Sequence, residues 1–227
     1  MVTDLPRQQS LPFADVAARL RYRTRVWTRT EVAAIHGRVR VEEVELRDLD
    51  SGSVRSVACD TVVFTADWIP DHELAVLAGL ELDPGTRGPR VDTALRTASP
   101  GVFATGNLLH GAEPADVAAL EGRHAAAGVA HWLAEGDWAE QRPVSCLAPL
   151  SWVSPNAIGG ASEPPRRRFL LRATEFLDRP RIDVRQDGPL LWQGRLRRIG
   201  PGRSASLSPE WIGLVDPKGG PVEISTH

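Results

Sequence analysis

The sequence predicts a mixed α/β protein whose carboxyl-terminal part is built of strands alone. Three observations support this fold class. Short strand-like segments and a hairpin occupy residues 25–65. The alanine-rich residues 114–134 carry apolar side chains at helical spacing. From residue 143 this spacing stops, and short segments punctuated by proline and glycine predict a small antiparallel β-sandwich over residues 143–227.

Charge and cysteine content exclude several function classes. A net charge of -2 over 227 residues gives no basic footprint for nucleic acid or an anionic membrane surface. Cys59 and Cys146 lie far apart, which indicates neither a disulfide framework nor a cysteine zinc site. The histidines lack the carboxylate or cysteine spacing of a metal centre. With no apolar run long enough to span a bilayer and no signal-peptide pattern, we expect a cytoplasmic protein without nucleic-acid or membrane partners.

The amino-terminal residues predict a strand, a helix and a hairpin in that order. Residues 1–4 read as the end of a strand, and Ser10 is placed to cap a helix with an apolar face. Alternating valines in residues 39–57 predict a hairpin that turns at Asp50-Ser51-Gly52. Residues 60–65 form a continuous apolar run, which predicts a strand covered on both faces.

The most informative stretch runs from Thr97 to Asn107 and reads Thr-Ala-Ser-Pro-Gly-Val-Phe-Ala-Thr-Gly-Asn. Its Pro-Gly pair predicts a turn that leads into a short strand at 102–105. Gly106 ends the strand without a side chain, and Asn107 follows at the carboxyl end, where open α/β sheets bind ligands. A helix then opens at 113–116 with a proline in its first turn. Together these features predict a site for an anionic or carbonyl-bearing ligand; the alternative is an ordinary Gly-Asn turn after a buried strand.

This stretch resembles the second FAD-binding motif of the pyridine nucleotide-disulfide oxidoreductase-type flavoproteins, which reads Thr-Ser-x-Pro-Gly-Val-Phe-Ala-x-Gly-Asp. The family's aspartate accepts a hydrogen bond from the ribityl chain of the flavin, and Asn107 keeps one acceptor oxygen without the charge. The resemblance implies that the following helix directs its N-terminus at the pyrimidine edge of the flavin. It also places His110 at the border of that region. The FAD-binding residues that it implies are Gly106, Asn107, Leu108, Ala115, Asp116 and Val117.

The resemblance predicts an α/β fold in which a partial two-dinucleotide-binding-domain flavoprotein is followed by the small antiparallel β-sandwich domain. Residues 1–66 would form a partial NAD(P)-binding domain, residues 67–142 the carboxyl-terminal part of the FAD-binding domain, and residues 143–227 the sandwich. In this alignment Asp4 hydrogen-bonds the adenosine ribose of NAD(P), and Arg7 lies where a base meets a 2′-phosphate. A solvated surface charge explains either residue equally well.

Two features depart from the family pattern. No G-x-G-x-x-G occurs in this sequence, whereas the family has one for the FAD pyrophosphate and one for the nicotinamide cofactor. The segment 65–70 resembles the family's Ala-Thr-Gly crossover but carries Asp67 in place of the glycine. We therefore expect a fragment, a misplaced start or a split subunit, which depends on a missing amino-terminal segment or a partner subunit.

The resemblance implies an FAD/NAD(P)-dependent oxidoreductase that passes hydride from a nicotinamide cofactor through the flavin to an unidentified acceptor. Since no cysteine pair is present for a disulfide relay, the acceptor would be a small-molecule substrate, another redox subunit or oxygen. No residue is assigned as a catalytic acid or base, and the chain alone is expected to be inactive. The alternative is a non-catalytic remnant or subunit whose β-domain mediates association, which the absence of both phosphate loops favours.

Overall fold

Two compact units, Met1–Asp67 and Trp68–His227, make up the chain. The computed structural model describes residues 1–8, 12–23, 25–65, 69–111, 113–160 and 162–227. The predicted cap at Ser10 and the glycine replacement at Asp67 lie outside these residues. Of the helices described, none combines the length and the apolar character that crossing a bilayer requires.

In its described residues, the first unit contains one helix and a three-stranded antiparallel sheet. Helix α1 spans Pro12–Tyr22, and the strands, paired in chain order, are β1 (Thr30–His36), β2 (Glu43–Asp48) and β3 (Val54–Ala58). The predicted hairpin is confirmed, because β2 and β3 pair antiparallel and the Asp48 carboxylate accepts two backbone N–H bonds in the turn. Val44 and Leu46 are both buried, so alternate residues of β2 form the inner face.

The predicted strand at residues 1–4 is present as a short parallel pairing. Val2 and Trp27 form a parallel bridge. The Thr3 N–H donates to the carbonyl of Trp27 at 2.9 Å, and the Thr30 N–H donates to the carbonyl of Thr3 at 3.0 Å. This pairing places the amino-terminal residues beside the start of β1.

The predicted strand at residues 60–65 is wrong. Within the described part of the chain these residues belong to no ladder, and Val63 and Phe64 are 75% and 72% exposed. An apolar run becomes a buried strand only when neighbouring strands pair with its backbone and other layers cover its faces. The described residues of the first unit supply neither.

The second unit opens with the short helix α2 (Glu73–Leu77) and contains the long helix α3 (Ala115–Glu135). The helix predicted over residues 114–134 is therefore confirmed. Gly136 ends it in a left-handed conformation with φ of 69°, and its N–H bonds to the carbonyl of Trp132 at 2.9 Å.

The strand predicted at residues 102–105 is replaced by an extended segment that pairs on one side only. Phe103 forms an isolated antiparallel bridge with Arg96, and two backbone hydrogen bonds join the segment to residues 95–97. No second strand lies beside it among the described residues. The predicted position at the carboxyl end of an open α/β sheet is therefore wrong as well, and Gly106–Leu108 form a turn of 3₁₀ helix instead.

A buried ion pair joins this segment to the β-rich part. The Asp92 and Arg96 side chains are 0% and 8% exposed, with 2.8 Å between Arg96 Nε and Asp92 Oδ2. Asp92 Oδ1 also accepts the N–H groups of Ala94 and Arg96 at 2.9 and 3.0 Å, which satisfies the buried carboxylate. A Cβ at Gly159 would lie 1.9 Å from Asp92 Oδ2, so only glycine lets the chain approach the pair this closely.

The carboxyl-terminal part consists of strands and short 3₁₀ turns among its described residues. The strands are β4 (Gln141–Cys146), β5 (Leu150–Ser154), β6 (Ala157–Gly159), β7 (Phe169–Ala173), β8 (Leu177–Asp178), β9 (Arg181–Gln186), β10 (Leu190–Arg195), β11 (Arg198–Ile199), β12 (Ala205–Leu207) and β13 (Val222–Thr226). The main sheets have the orders β10-β9-β13-β4-β6 and β12-β7-β5, and β8 pairs with β11. The predicted purely antiparallel arrangement is wrong at one pair, since β13 and β4 are parallel. The long connection between these two strands permits that orientation.

One apolar core joins the two main sheets. The rings of Phe169 and Trp211 stack with centroids 4.9 Å apart, and both residues are fully buried. Leu207 of the three-stranded sheet and Ile224 of the five-stranded sheet belong to the same cluster. Trp211 is therefore a central residue of this core.

A buried carboxylate on β9 gives the stability of this part a pH dependence. Asp183 is 2% exposed. It accepts a hydrogen bond from Gln193 at 2.9 Å and ion-pairs with Arg185 at 3.1 Å and Arg181 at 3.5 Å. The Gln193 hydrogen bond first, and then the two arginines, lower the pKa of the Asp183 carboxyl against the opposing effect of burial.

We expect Asp183→Asn to lower the free energy of unfolding at pH 7 by about 2 kcal/mol, because the charged acceptor is lost. A pKa lowered in the folded state contributes stability that is complete above about pH 4 and is lost as the pH falls through the folded pKa. Urea unfolding at pH 7, 5 and 3 should therefore show that the difference in free energy of unfolding between the parent and Asp183→Asn becomes smaller as the pH falls. The exposed Asp71→Asn is the control, and a difference that does not depend on pH would contradict the assignment.

Candidate functional site

The candidate site centres on the loop from Gly106 to Glu113, which leads into α3. Gly106 has φ of 71°, in the left-handed region that favours glycine. A Cβ there would lie 3.4 Å from the Cβ of Ala118, so the loop rests closely on α3. Glycine is therefore favoured by the turn, whereas a Cβ would make only an ordinary van der Waals contact with the helix.

A buried carboxylate holds the start of the loop. Glu121, on the second turn of α3, is 3% exposed, and its Oε2 accepts the N–H of Gly106 at 3.0 Å. Its other oxygen lies 3.6 Å from Nε2 of His110. The ring of His110 stacks on that of Trp152 with centroids 5.1 Å apart.

Asn107 closes the loop on itself. Its side chain is exposed. Its Oδ1 accepts the N–H of Glu113 at 3.3 Å, and its Nδ2 donates to the carbonyl of Glu113 at 3.5 Å. An aspartate could accept the first bond but could not donate the second. The departure from the family pattern at this position therefore fits the loop.

Strands β5 and β7 hold the end of the loop. The Arg172 guanidinium lies 3.3 Å from the Glu113 carboxylate and 4.8 Å from the ring centroid of Trp152, and it donates to the carbonyl of Gly111 at 3.5 Å. Ser204 Oγ donates to the same carboxylate. Burial lowers the pKa of Arg172 while Glu113 opposes that shift, so the two groups depend on each other as an ion pair.

The first turn of α3 has no side-chain cap. Pro114 occupies the N-cap position, and no side-chain hydrogen bond is made there. Ala115 and Asp116 are exposed, whereas Val117 is buried. A helix start without a side-chain cap leaves backbone N–H groups for water or a ligand.

The structure brings six of the predicted site residues into one region and leaves two elsewhere in the chain. The six are Gly106, Asn107, Leu108, Ala115, Asp116 and Val117, at the loop and the start of α3. Asp4 is exposed and Arg7 is half-buried, and both belong to the first unit. The cofactor-binding roles of all eight residues stay predictions. Among the described residues, no group of three or more His, Cys, Asp or Glu side chains is arranged to hold a metal.

The charged residues that fix the loop were not predicted from the sequence. Glu121 lies four residues after Val117 and four before Ala125, on the buried stripe of α3. A glutamate at that spacing is the signal that could have identified it. Arg172 is 59 residues from Glu113, and no local pattern predicts their contact.

Residues 14–122 match the family described as pyridine nucleotide-disulphide oxidoreductase. The match includes the motif from Thr97 to Asn107 and the first turns of α3. The resemblance inferred from the motif is therefore confirmed over these residues. FAD and NAD(P)H are the cofactors that this family implies. No curated protein matches the chain.

Three solved structures illustrate the similarity. Thioredoxin reductase of Lactococcus lactis, in its FR conformation, is 18% identical over 59% of this chain and 44% of that chain, with a TM-score of 0.52. Thioredoxin reductase of T. acidophilum is 23% identical over 60% and 44%, with a TM-score of 0.48. An FAD-dependent pyridine nucleotide-disulphide oxidoreductase from Desulfovibrio vulgaris is 21% identical over 76% and 42%, with a TM-score of 0.42.

The three solved structures are longer than this chain. The chain spans less than half the length of each of the three structures. The Lactococcus lactis match supports a similarity of fold.

The Arg172–Glu113 pair yields a stability prediction. Arg172→Met should lower the free energy of unfolding by about 3 kcal/mol, because it leaves the Glu113 carboxylate, 11% exposed, without its partner. The double variant Arg172→Met/Glu113→Gln should recover part of that loss, since it removes both charges. Urea unfolding measures both effects. Arg168→Met, at an exposed neighbour, is the control, and an equal loss in that variant would contradict the pairing.

Proposed function

We propose that this chain provides the ribityl- and pyrimidine-facing side of the FAD site of an oxidoreductase of the pyridine nucleotide-disulphide type. The observation that carries this proposal is the Gly106–Asn107 turn beside the uncapped start of α3, within the segment that matches the family. When bound, FAD supplies the hydride relay between a nicotinamide cofactor and an acceptor.

The residues present fit one end of FAD. Gly106 places no side chain between a ligand and the backbone. Asn107 is exposed, and its Oδ1 accepts one long bond, which leaves a lone pair for a ribityl hydroxyl. The start of α3 offers backbone N–H groups and the positive end of a 21-residue helix dipole to the pyrimidine edge.

The residues present do not fit the diphosphate of FAD. The sequence has no G-x-G-x-x-G, which in dinucleotide-binding folds places the pyrophosphate on a helix N-terminus. We infer that an amino-terminal segment or a partner subunit supplies this part of the site. Large exposed apolar side chains in each unit offer surface that such a segment or subunit could cover. They include Phe13 (71%) and Leu20 (79%) in the first unit, and Leu74 (81%) and Leu77 (82%) in the second.

The finer arrangement belongs to the same proposal. Residues 1–66 would be a partial NAD(P)-binding domain, with Asp4 and Arg7 as candidates for the ribose and a 2′-phosphate. Residues 67–142 would complete the FAD-binding domain, and residues 143–227 would form the small β domain that holds the loop. The acceptor is a small-molecule substrate, another redox subunit or oxygen, and no residue is assigned as a catalytic acid or base.

A second candidate function is a non-catalytic subunit whose β domain mediates association. The absence of both glycine-rich phosphate loops from the sequence favours it. The visible absorbance of the protein purified with its natural partners separates the two functions. A bound flavin gives the yellow colour that a non-catalytic subunit lacks.

We expect the isolated chain to lose FAD during gel filtration, because its sequence has no G-x-G-x-x-G loop to hold the diphosphate. Riboflavin, which has the ring and the ribityl chain but no diphosphate, should bind weakly and be detected by quenching of its fluorescence. Stoichiometric FAD retained by the 227-residue chain would contradict the incomplete site. Riboflavin fluorescence unchanged at saturating protein would contradict the flavin-facing turn.

Riboflavin affinity should also depend on Asn107. Asn107→Leu removes the acceptor and crowds the ligand, and should weaken binding by about tenfold, the value of one hydrogen bond. Asn107→Asp is the matched control, because it keeps an acceptor of the same shape and should bind within a few-fold of the parent. Melting temperatures of the three proteins separate an effect on the loop from an effect on folding. Equal affinity of the parent and the leucine variant would remove Asn107 from the site.

A further inference from the structure

The side chains of Glu121 and His110 form a buried polar pair next to the Gly106–Asn107 turn. They are 4% and 1% exposed. One oxygen of Glu121 accepts the N–H of Gly106 at 3.0 Å, and the other lies 3.6 Å from Nε2 of His110. The carboxylate therefore stands between the turn and the histidine ring.

Packing alone does not account for a histidine at position 110. Among the described residues, neither Nδ1 nor Nε2 has a hydrogen-bond partner. The ring stacks on Trp152 with an angle of 22° between the planes. A phenylalanine would stack in the same way. It would also avoid the burial of an unbonded N–H, which is unfavourable. The burial of two unbonded ring nitrogens therefore indicates a polar role for His110.

We propose that Glu121 and His110 are a positioning pair for the Gly106–Asn107 turn. Glu121 fixes the amide of Gly106 and thereby the direction of Asn107, and His110 holds the second oxygen of Glu121. The 3.6 Å separation exceeds the usual N–H···O range, so the contact is loose here, and a shift of less than about 1 Å would close it.

The pair is important because it holds the turn in one conformation. A glycine with φ of 71° has many accessible backbone conformations, and a charge-assisted hydrogen bond is the contact that selects one. Since Glu121 lies on α3, the same bond couples the turn to the start of that helix. A turn held in its binding conformation loses less entropy when a ligand arrives. This inference rests on the proposed function, in which the turn faces the flavin.

Amide hydrogen exchange tests the pair in the full chain without any ligand. The measured quantity is the exchange rate of the Gly106 amide relative to that of Ala104, whose N–H bonds to the carbonyl of Leu95 and serves as an internal reference. Glu121→Ala should raise this ratio by about tenfold, and the single changes Glu121→Gln and His110→Phe by about threefold each. Glu121→Gln/His110→Phe should raise it no further than the larger of its single changes, because the two side chains act as one unit.

His124→Phe is the matched control. His124 lies on the same helix, and its Nε2 donates to the carbonyl of Thr93 at 2.8 Å. Losing that bond should lower the melting temperature without changing the Gly106 to Ala104 ratio. A ratio unchanged by His110→Phe, or single effects that simply multiply in the double variant, would overturn the positioning pair.

Riboflavin titration of the same variants separates this inference from the proposed function. If both hold, His110→Phe and Glu121→Gln weaken riboflavin binding by about threefold or more while the fold is retained. If the parent binds no riboflavin but the exchange ratio responds, the positioning pair stands and the flavin proposal fails. If the parent binds riboflavin and the ratio does not respond, the flavin proposal stands and the pair fails.

Discussion

The hydrogen bond from the Gly106 amide to the Glu121 carboxylate is the interaction on which the geometry of the candidate site depends. It joins a turn with a left-handed glycine to the second turn of a long helix, and both groups are buried. A buried carboxylate is expensive unless it is well bonded. The protein therefore holds this turn with one strong, local contact rather than with a sheet.

The far end of the loop depends on contacts that are distant in sequence. Glu113 pairs with Arg172 of β7, and the Arg172 guanidinium lies over Trp152 of β5. A second buried pair, Asp92–Arg96, fixes the segment before the motif against Gly159 of β6. The β-rich part thus does more than follow the segment that matches the family, because three of its strands determine where the loop and its flanks can lie.

Local patterns predicted the features that local forces decide. The motif from Thr97 to Asn107, helix α3 and the hairpin of β2 and β3 follow from turn residues, helical spacing and alternation. The strands expected at 60–65 and 102–105 were wrong, because a strand exists only with neighbours, and no sequence pattern shows whether they are present. For the same reason, the sequence did not predict the Arg172–Glu113 contact or the parallel pairing of β4 and β13.

The charges around position 107 favour an asparagine there over the aspartate of the family motif. Glu113 and Glu121 already place two carboxylates at the two ends of the loop, and Asp116 adds a third in the first turn of α3. Arg172 pairs with Glu113, whereas the second oxygen of Glu121 lies 3.6 Å from Nε2 of His110. An aspartate at 107 would add a fourth negative group and lose the donor that Asn107 offers to the Glu113 carbonyl. A neutral amide keeps the bond from the Glu113 N–H and avoids that repulsion. The departure from the family motif thus fits the way this loop is held.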